Sequence, residues 1–236
     1  GAVNLDREGC VGSWPRSGTE GARLAARVEA REAALAGLAP ELRDRLHALA
    51  EEGREFWHHF DAEVRQQNFH PFVPADYDVV LAGLVGLRAP GMRFLEWGSA
   101  TGIITIMADL LGFDACGIEL DADLVDTARE LAARYGSGAR FAAGSFIPAG
   151  YHYRPRNGDG RLGTIGDGVS GYRELGIPLD DFDLVYGYPW GGEEPMMLDL
   201  MRAYGGRDAR LLMLSGSELR VYRGGRLVPS PAPRAA

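Results

Sequence analysis

Two carboxylates and two glycines, Glu96, Gly98, Gly102 and Glu119, stand at the spacing of a nucleoside site. Glu96 lies two places before a glycine turn, and Glu119 follows at the end of the next apolar run. Gly98 and Gly102 carry no Cβ, so the backbone can leave a strand and enter a helix close to a ligand. Glu119, at the carboxyl end of a second strand, is placed to accept hydrogen bonds from both ribose hydroxyls. A nicotinamide-type turn needs glycine at 98, 100 and 103, whereas this chain has Gly98, Ala100 and Ile103. An acid ahead of the turn would repel a pyrophosphate, yet it suits a cofactor carrying an ammonium and a sulfonium. The pattern therefore points to an adenosine-containing cofactor and disfavours a dinucleotide.

A second group follows the fourth expected strand: Tyr186, Tyr188, Pro189 and Trp190. Ligands of open α/β sheets sit beyond the carboxyl ends of the strands, so these residues are expected to face the reacting group. Aromatic faces can stabilise a sulfonium or a cationic amine by cation–π attraction. Glu193 opens the next helix and is a candidate to hold a cationic substrate, with helix-dipole stabilisation as its alternative. Phe69, His70, Phe72 and Tyr77, in and just after a stiff two-proline segment, are expected either to wall the site or to anchor that segment under the sheet.

The elements that must position these groups alternate. Strands are expected near 94–98, 114–120, 139–146, 183–186 and 209–215, with helices over 101–112, 122–135 and 193–203. A Gly224-Gly225 turn implies a terminal hairpin of 218–222 and 226–228. The expected fold is α/β, a doubly wound, mostly parallel sheet with helices on both faces and an N-terminal helical extension. Residues 1–18 read as a loose tail and 19–67 as the helical extension, its first helix capped by Thr19 and its second opening near Pro40. In the second helix Leu42, Leu46, Leu49, Phe56, Phe60 and Val64 recur as one buried face. A further helix after the proline segment is capped by Asp76 or Asp78. Residues 68–236 form the cofactor-binding domain, interrupted by a Gly-rich insertion at about 147–181 that reads as a substrate loop with aromatic contacts at Tyr151, His152, Tyr153 and Tyr172.

The segment from Phe94 to about Ser215 resembles class I S-adenosylmethionine-dependent methyltransferases. Their first motif is an acid, a spacer and three alternating glycines; here it is Glu96, Gly98, Ala100 and Gly102, with alanine replacing the middle glycine. The resemblance implies S-adenosyl-L-methionine as cofactor, held by Glu96, Gly98, Ser99, Ala100, Gly102, Glu119 and Leu120. It also implies that Gly144-Ser145-Phe146 lies along the adenine. Gly187-Tyr188-Pro189-Trp190 departs from the Asn-Pro-Pro-Tyr of relatives that modify amino groups of nucleic acids, which speaks against adenine or glutamine methylation.

Composition bounds the partners. The 236 residues, 46% hydrophobic and 25% charged, suffice for one sizeable core. The net charge of −8 disfavours a nucleic-acid phosphate backbone as the main partner and leaves a local basic patch open; the acceptor expected with the methyltransferase resemblance is a small molecule or a protein side chain. No run approaches the ~20 apolar residues that a bilayer helix needs. Cys10 and Cys116 lie in unlike settings, so no disulfide is expected and a reducing cytoplasm is the default. No metal is expected: the adjacent His58 and His59 point about 100° apart on a helix, and the acid-glycine runs 157–160 and 167–168 break the EF-hand spacing. The N-terminal helices are placed either to cap the site or to pair two subunits as a homodimer. Two other functions stay open: a nicotinamide oxidoreductase, and a cofactor-binding scaffold of the same fold without catalysis.

Overall fold

The computed structural model describes residues 17–63, 76–153, 168–189, 192–216 and 218–229. Cys10, Trp14, Val64, Phe69, His70, Phe72, Asn157 to Gly160, Asp167 and Trp190 lie outside them, as does the side chain of Phe60.

Seven strands form one sheet in the order β3-β2-β1-β4-β5-β6-β7. Strands β1 (Arg93–Trp97), β2 (Asp114–Glu119), β3 (Arg140–Ala143), β4 (Leu184–Gly187) and β5 (Arg210–Ser215) pair in parallel. Strand β6 (Glu218–Arg223) runs antiparallel to β5, and β7 (Arg226–Val228) closes a hairpin on it. Both turn glycines of that hairpin are left-handed, φ 57° and 75°, the requirement of a two-residue turn that matches strand twist. The order reverses between β1 and β4, and such a reversal opens a crevice at the strands' carboxyl ends.

Helices α1 (Ser17–Ala36), α2 (Pro40–Glu63), α3 (Tyr77–Leu87), α4 (Ile103–Leu110), α5 (Ala122–Arg134), α6 (Tyr172–Leu175) and α7 (Glu194–Tyr204) complete the layers. Helix α1 begins at Ser17, ahead of the expected cap at Thr19. Asp76 caps α3, its side chain accepting from the Val79 amide at 3.3 Å, and Asp121 caps α5 through Asp123 and Leu124.

The parallel strands are buried on both faces, as helices on each side demand. On one face Phe94, Tyr186 and Leu212 pack with Leu46, Leu49, Leu81, Leu84, Ile103 and Met107 of the surrounding helices. On the other, Leu95, Trp97, Val185 and Met213 pack with Phe146, Tyr172, Met197 and Leu200. Successive strand side chains alternate between faces, so Glu96 projects with Phe94 into the layer that holds α2, α3 and α4.

Candidate functional site

Glu96 has become a floor. It is the fourth residue of β1, next to Tyr186 in the β4 register and to Gly117 in the β2 register. Only 5% of it is exposed. Its Oε2 accepts from the Thr105 amide at 2.9 Å and the Thr105 hydroxyl at 2.5 Å, which satisfies a donor in the first turn of α4. Burial pushes its carboxyl up to about 8; the Thr105 hydrogen bonds oppose that rise and Glu119 adds to it.

Gly117 makes room for this arrangement. A Cβ at that position would stand 2.7 Å from Ser99 Cβ and 2.9 Å from Thr105 Oγ1. Thr105 and Gly117 were not among the sequence candidates. A glycine inside an apolar strand signals close backbone approach, so Gly117 could have been flagged; nothing marks Thr105 in the sequence.

The turn above Glu96 is left-handed at three places: Gly98 φ 71°, Ala100 φ 47° and Gly102 φ 82°. Ala100 is the only non-glycine residue among those described with positive φ. The chain keeps the conformation of the missing glycine and accepts strain of about 1–2 kcal/mol for a Cβ in that region. Ala100→Gly should therefore stabilise the protein by about 0.5–1 kcal/mol in urea denaturation, strain relief outweighing the added unfolded-state freedom. A loss of stability would show that the turn holds alanine without cost.

Most of the turn's amides are already engaged. Gly98 and Ser99 donate to the Ile118 carbonyl at 2.9 and 3.0 Å, and Gly102 donates to the Ser99 carbonyl at 2.7 Å. The Ala100 amide donates to Glu119 Oε2 at 3.0 Å, while Asp121 donates to Glu119 Oε1 at 3.3 Å. A phosphate cradle needs such amides pointing outward; here they hold the turn to β2.

The crevice at the reversal point is lined by Tyr77, Glu96, Gly98, Ser99, Ala100, Thr101, Ile103, Ile104, Tyr186 and Tyr188 and encloses about 50 Å³. That is room for a small polar group, with the remainder of any larger ligand lying outside over the turn. A Cβ on Gly98 would meet nothing within 4 Å, so the turn has open space in front of it. Tyr186 Oη and Ser99 Oγ are buried without a hydrogen-bond partner. An unsatisfied buried hydroxyl costs about 1–3 kcal/mol, and a ligand group in the crevice would relieve that cost at Tyr186. Burial, with Glu96 adding to it, holds the hydroxyls of Tyr77 and Tyr186 above the usual phenol range.

The other expected site residues divide. Leu120, 42% exposed, stands beside Glu119 at the open end of β2. Pro189 follows Tyr188 directly after β4. Glu193 is fully buried at the N-cap of α7, where its carbonyl accepts from the Met197 amide. Ser145 is buried and bridged to Ser170 of the returning insertion. Phe146 stacks on Trp97 with centroids 5.1 Å apart, and Trp97 Nε1 donates to Tyr172 Oη at 2.9 Å. These rings pack in the opposite face of the sheet from Glu96.

Among the described residues no group of three His, Cys, Asp or Glu side chains is placed to hold a metal ion. None of their helices is long and apolar enough to cross a membrane.

No protein-family model and no curated protein matches this sequence. Solved structures resemble it in part. An RNA methyltransferase from Salinibacter ruber, in complex with S-adenosyl-L-homocysteine, is 18% identical, with 69% of this chain and 98% of that one covered at a TM-score of 0.46. A precorrin-6y C5,15-methyltransferase from Geobacter metallireducens is 13% identical over 64% and 69%, at 0.42. The YcgJ protein from Bacillus subtilis is 16% identical over 57% of this chain at 0.39; the match spans 48% of that protein, about half its length.

Proposed function

We propose that the chain is an S-adenosyl-L-methionine-dependent methyltransferase acting on a small molecule or a protein side chain. One observation carries the reading: a buried carboxyl, Glu96, floors a crevice at the sheet's reversal point, beneath a turn whose amides are turned inward. That combination suits a cationic amino-acid tail and disfavours a pyrophosphate.

The residues fit the cofactor group by group. Glu96 would accept from the ammonium, and Tyr186 offers an unused donor beside it. Glu119 would meet the ribose hydroxyls, exchanging its present bond to the Ala100 amide for them. Leu120 offers apolar surface to the base. When bound, the cofactor supplies an electrophilic methyl carbon whose bond to sulfur breaks as the acceptor's lone pair closes on it.

The chain's own part is alignment and exclusion of water. Tyr77 and Tyr188 stand at the crevice walls, where aromatic faces favour positive charge.

Calorimetric titration with S-adenosylmethionine, S-adenosylhomocysteine and NAD tests the reading. Binding of the first two without NAD is expected, and NAD binding alone would overturn it. Turnover on acceptor candidates then separates an enzyme from a silent scaffold. Glu119→Ala should weaken cofactor binding by about 1–3 kcal/mol through the lost ribose bonds. Unchanged affinity would remove Glu119 from the sugar site.

A further inference from the structure

Helix α2 carries a buried glycine, Gly53, in its interior. Glycine is the poorest helix former after proline, so a buried one needs a packing reason. A Cβ at Gly53 would lie 2.7 Å from Tyr77 Cε2, 2.9 Å from Tyr77 Cζ and 2.9 Å from Ile103 Cγ1. Both neighbours are walls of the crevice.

The helix is also fastened on each side of this contact. Arg54 Nη2 reaches Asp78 Oδ2 at 3.3 Å, Arg134 Nη1 reaches Glu52 Oε1 at 2.7 Å, and Arg45 donates to the Tyr135 carbonyl. Leu46, Leu49 and Ala50 are buried on the same helix. With α2 held at these points, an added methyl group at 53 has to be taken up by the Tyr77 ring and the Ile103 side chain, both of which line the crevice.

We propose that Gly53 is a specificity-determining position: it sets how far the Tyr77 ring stands back from Glu96, and so the room left for the amino-acid tail of the bound ligand. Helix α2 then backs one wall of the site. This rests on the function proposed above.

Gly53→Ala and the pair Gly53→Ala/Tyr77→Leu test it, titrated with S-adenosylhomocysteine and with 5′-methylthioadenosine, which has the same nucleoside and no amino-acid tail. Gly53→Ala should lose about tenfold or more in affinity for S-adenosylhomocysteine, one decade of dissociation constant, and keep its affinity for methylthioadenosine. Set against Tyr77→Leu alone, the pair should lose no further affinity for S-adenosylhomocysteine, because the methyl group at 53 then has no ring to displace. Parallel weakening of both ligands by Gly53→Ala, or a further loss in the pair, would overturn the proposal. A 3-fluorotyrosine NMR signal assigned to Tyr77 gives a readout without ligand: it should shift in Gly53→Ala, and an unmoved signal would also overturn the proposal. A wild-type chain that binds neither nucleoside would instead overturn the methyltransferase reading.

Discussion

Replacing Glu96 with glutamine should make the ligand-free protein more stable above neutral pH and, in the same variant, remove most of its cofactor affinity. The buried carboxyl titrates near 8 in the folded chain against 4.5 for an ordinary glutamate. The folded state therefore keeps a proton that the unfolded state has lost between these values. Stability is fullest below about 4.5, falls by about 1.4 kcal/mol per pH unit as pH rises, and levels off above about 8. Glutamine keeps an oxygen for Thr105 and does not titrate, so its advantage should grow from near zero at pH 4 to about 3–5 kcal/mol at pH 8. Urea denaturation of both proteins at several pH values measures this, and parallel pH profiles would refute it. In the other direction, an amide cannot pair with an ammonium as a carboxylate does, and the loss of affinity should be about 2 kcal/mol or more, roughly thirtyfold. Wild-type affinity for S-adenosylmethionine should rise with pH up to about 8, because binding draws Glu96 into its charged form. Calorimetry in buffers of different ionisation enthalpy would register the proton released.

Gly102→Ala should destabilise the fold by about 2–5 kcal/mol, combining a strained backbone with overpacking. Its φ is 82°, and a Cβ there would stand 2.7 Å from Phe141 Cζ and 2.8 Å from Ala128 Cβ. Those two atoms belong to β3 and α5 and are themselves buried. Gly98→Ala is the matched control, since its φ of 71° imposes the same backbone cost while its Cβ meets nothing. It should lose about 1–2 kcal/mol and interfere chiefly with ligand entry. Equal losses at 98 and 102 would mean that the close contacts at Gly102 relax freely.

The sheet was legible because its strands are short apolar runs bounded by glycine and acid, and each lies within a few residues of its expected place. The expected strand 139–146 is shorter in the structure, Arg140–Ala143. Beyond it Gly144 turns at φ 151°, where a Cβ would meet the Val169 carbonyl at 2.5 Å. A partner arriving from more than 20 residues away leaves no local mark. The same holds for the site. Glu96, the turn and Glu119 were readable because chain spacing alone brings them together. Thr105 under Glu96, Ser99 against Gly117 and Gly53 behind Tyr77 are tertiary contacts between elements, and no periodicity encodes them. The alanine at 100 could be read as a substitution, but its left-handed backbone follows from the hydrogen bonds on either side of it.

The bridge between Ser145 and Ser170 has one further consequence. The Ser145 amide donates to the Val169 carbonyl at 2.9 Å, and the Gly171 amide donates to the Ser145 carbonyl at 2.8 Å. The outgoing and incoming stems of the long excursion after β3 are thus clasped beside the sheet edge, and closing a longer or shorter span between clasped stems adds little entropy. Phe146 stacks on Trp97 and the Tyr151 hydroxyl donates to Asp199 Oδ2 at 2.6 Å, so the first residues past the clasp are seated on the frame as well, and the sheet edge does not depend on the length of chain that follows them.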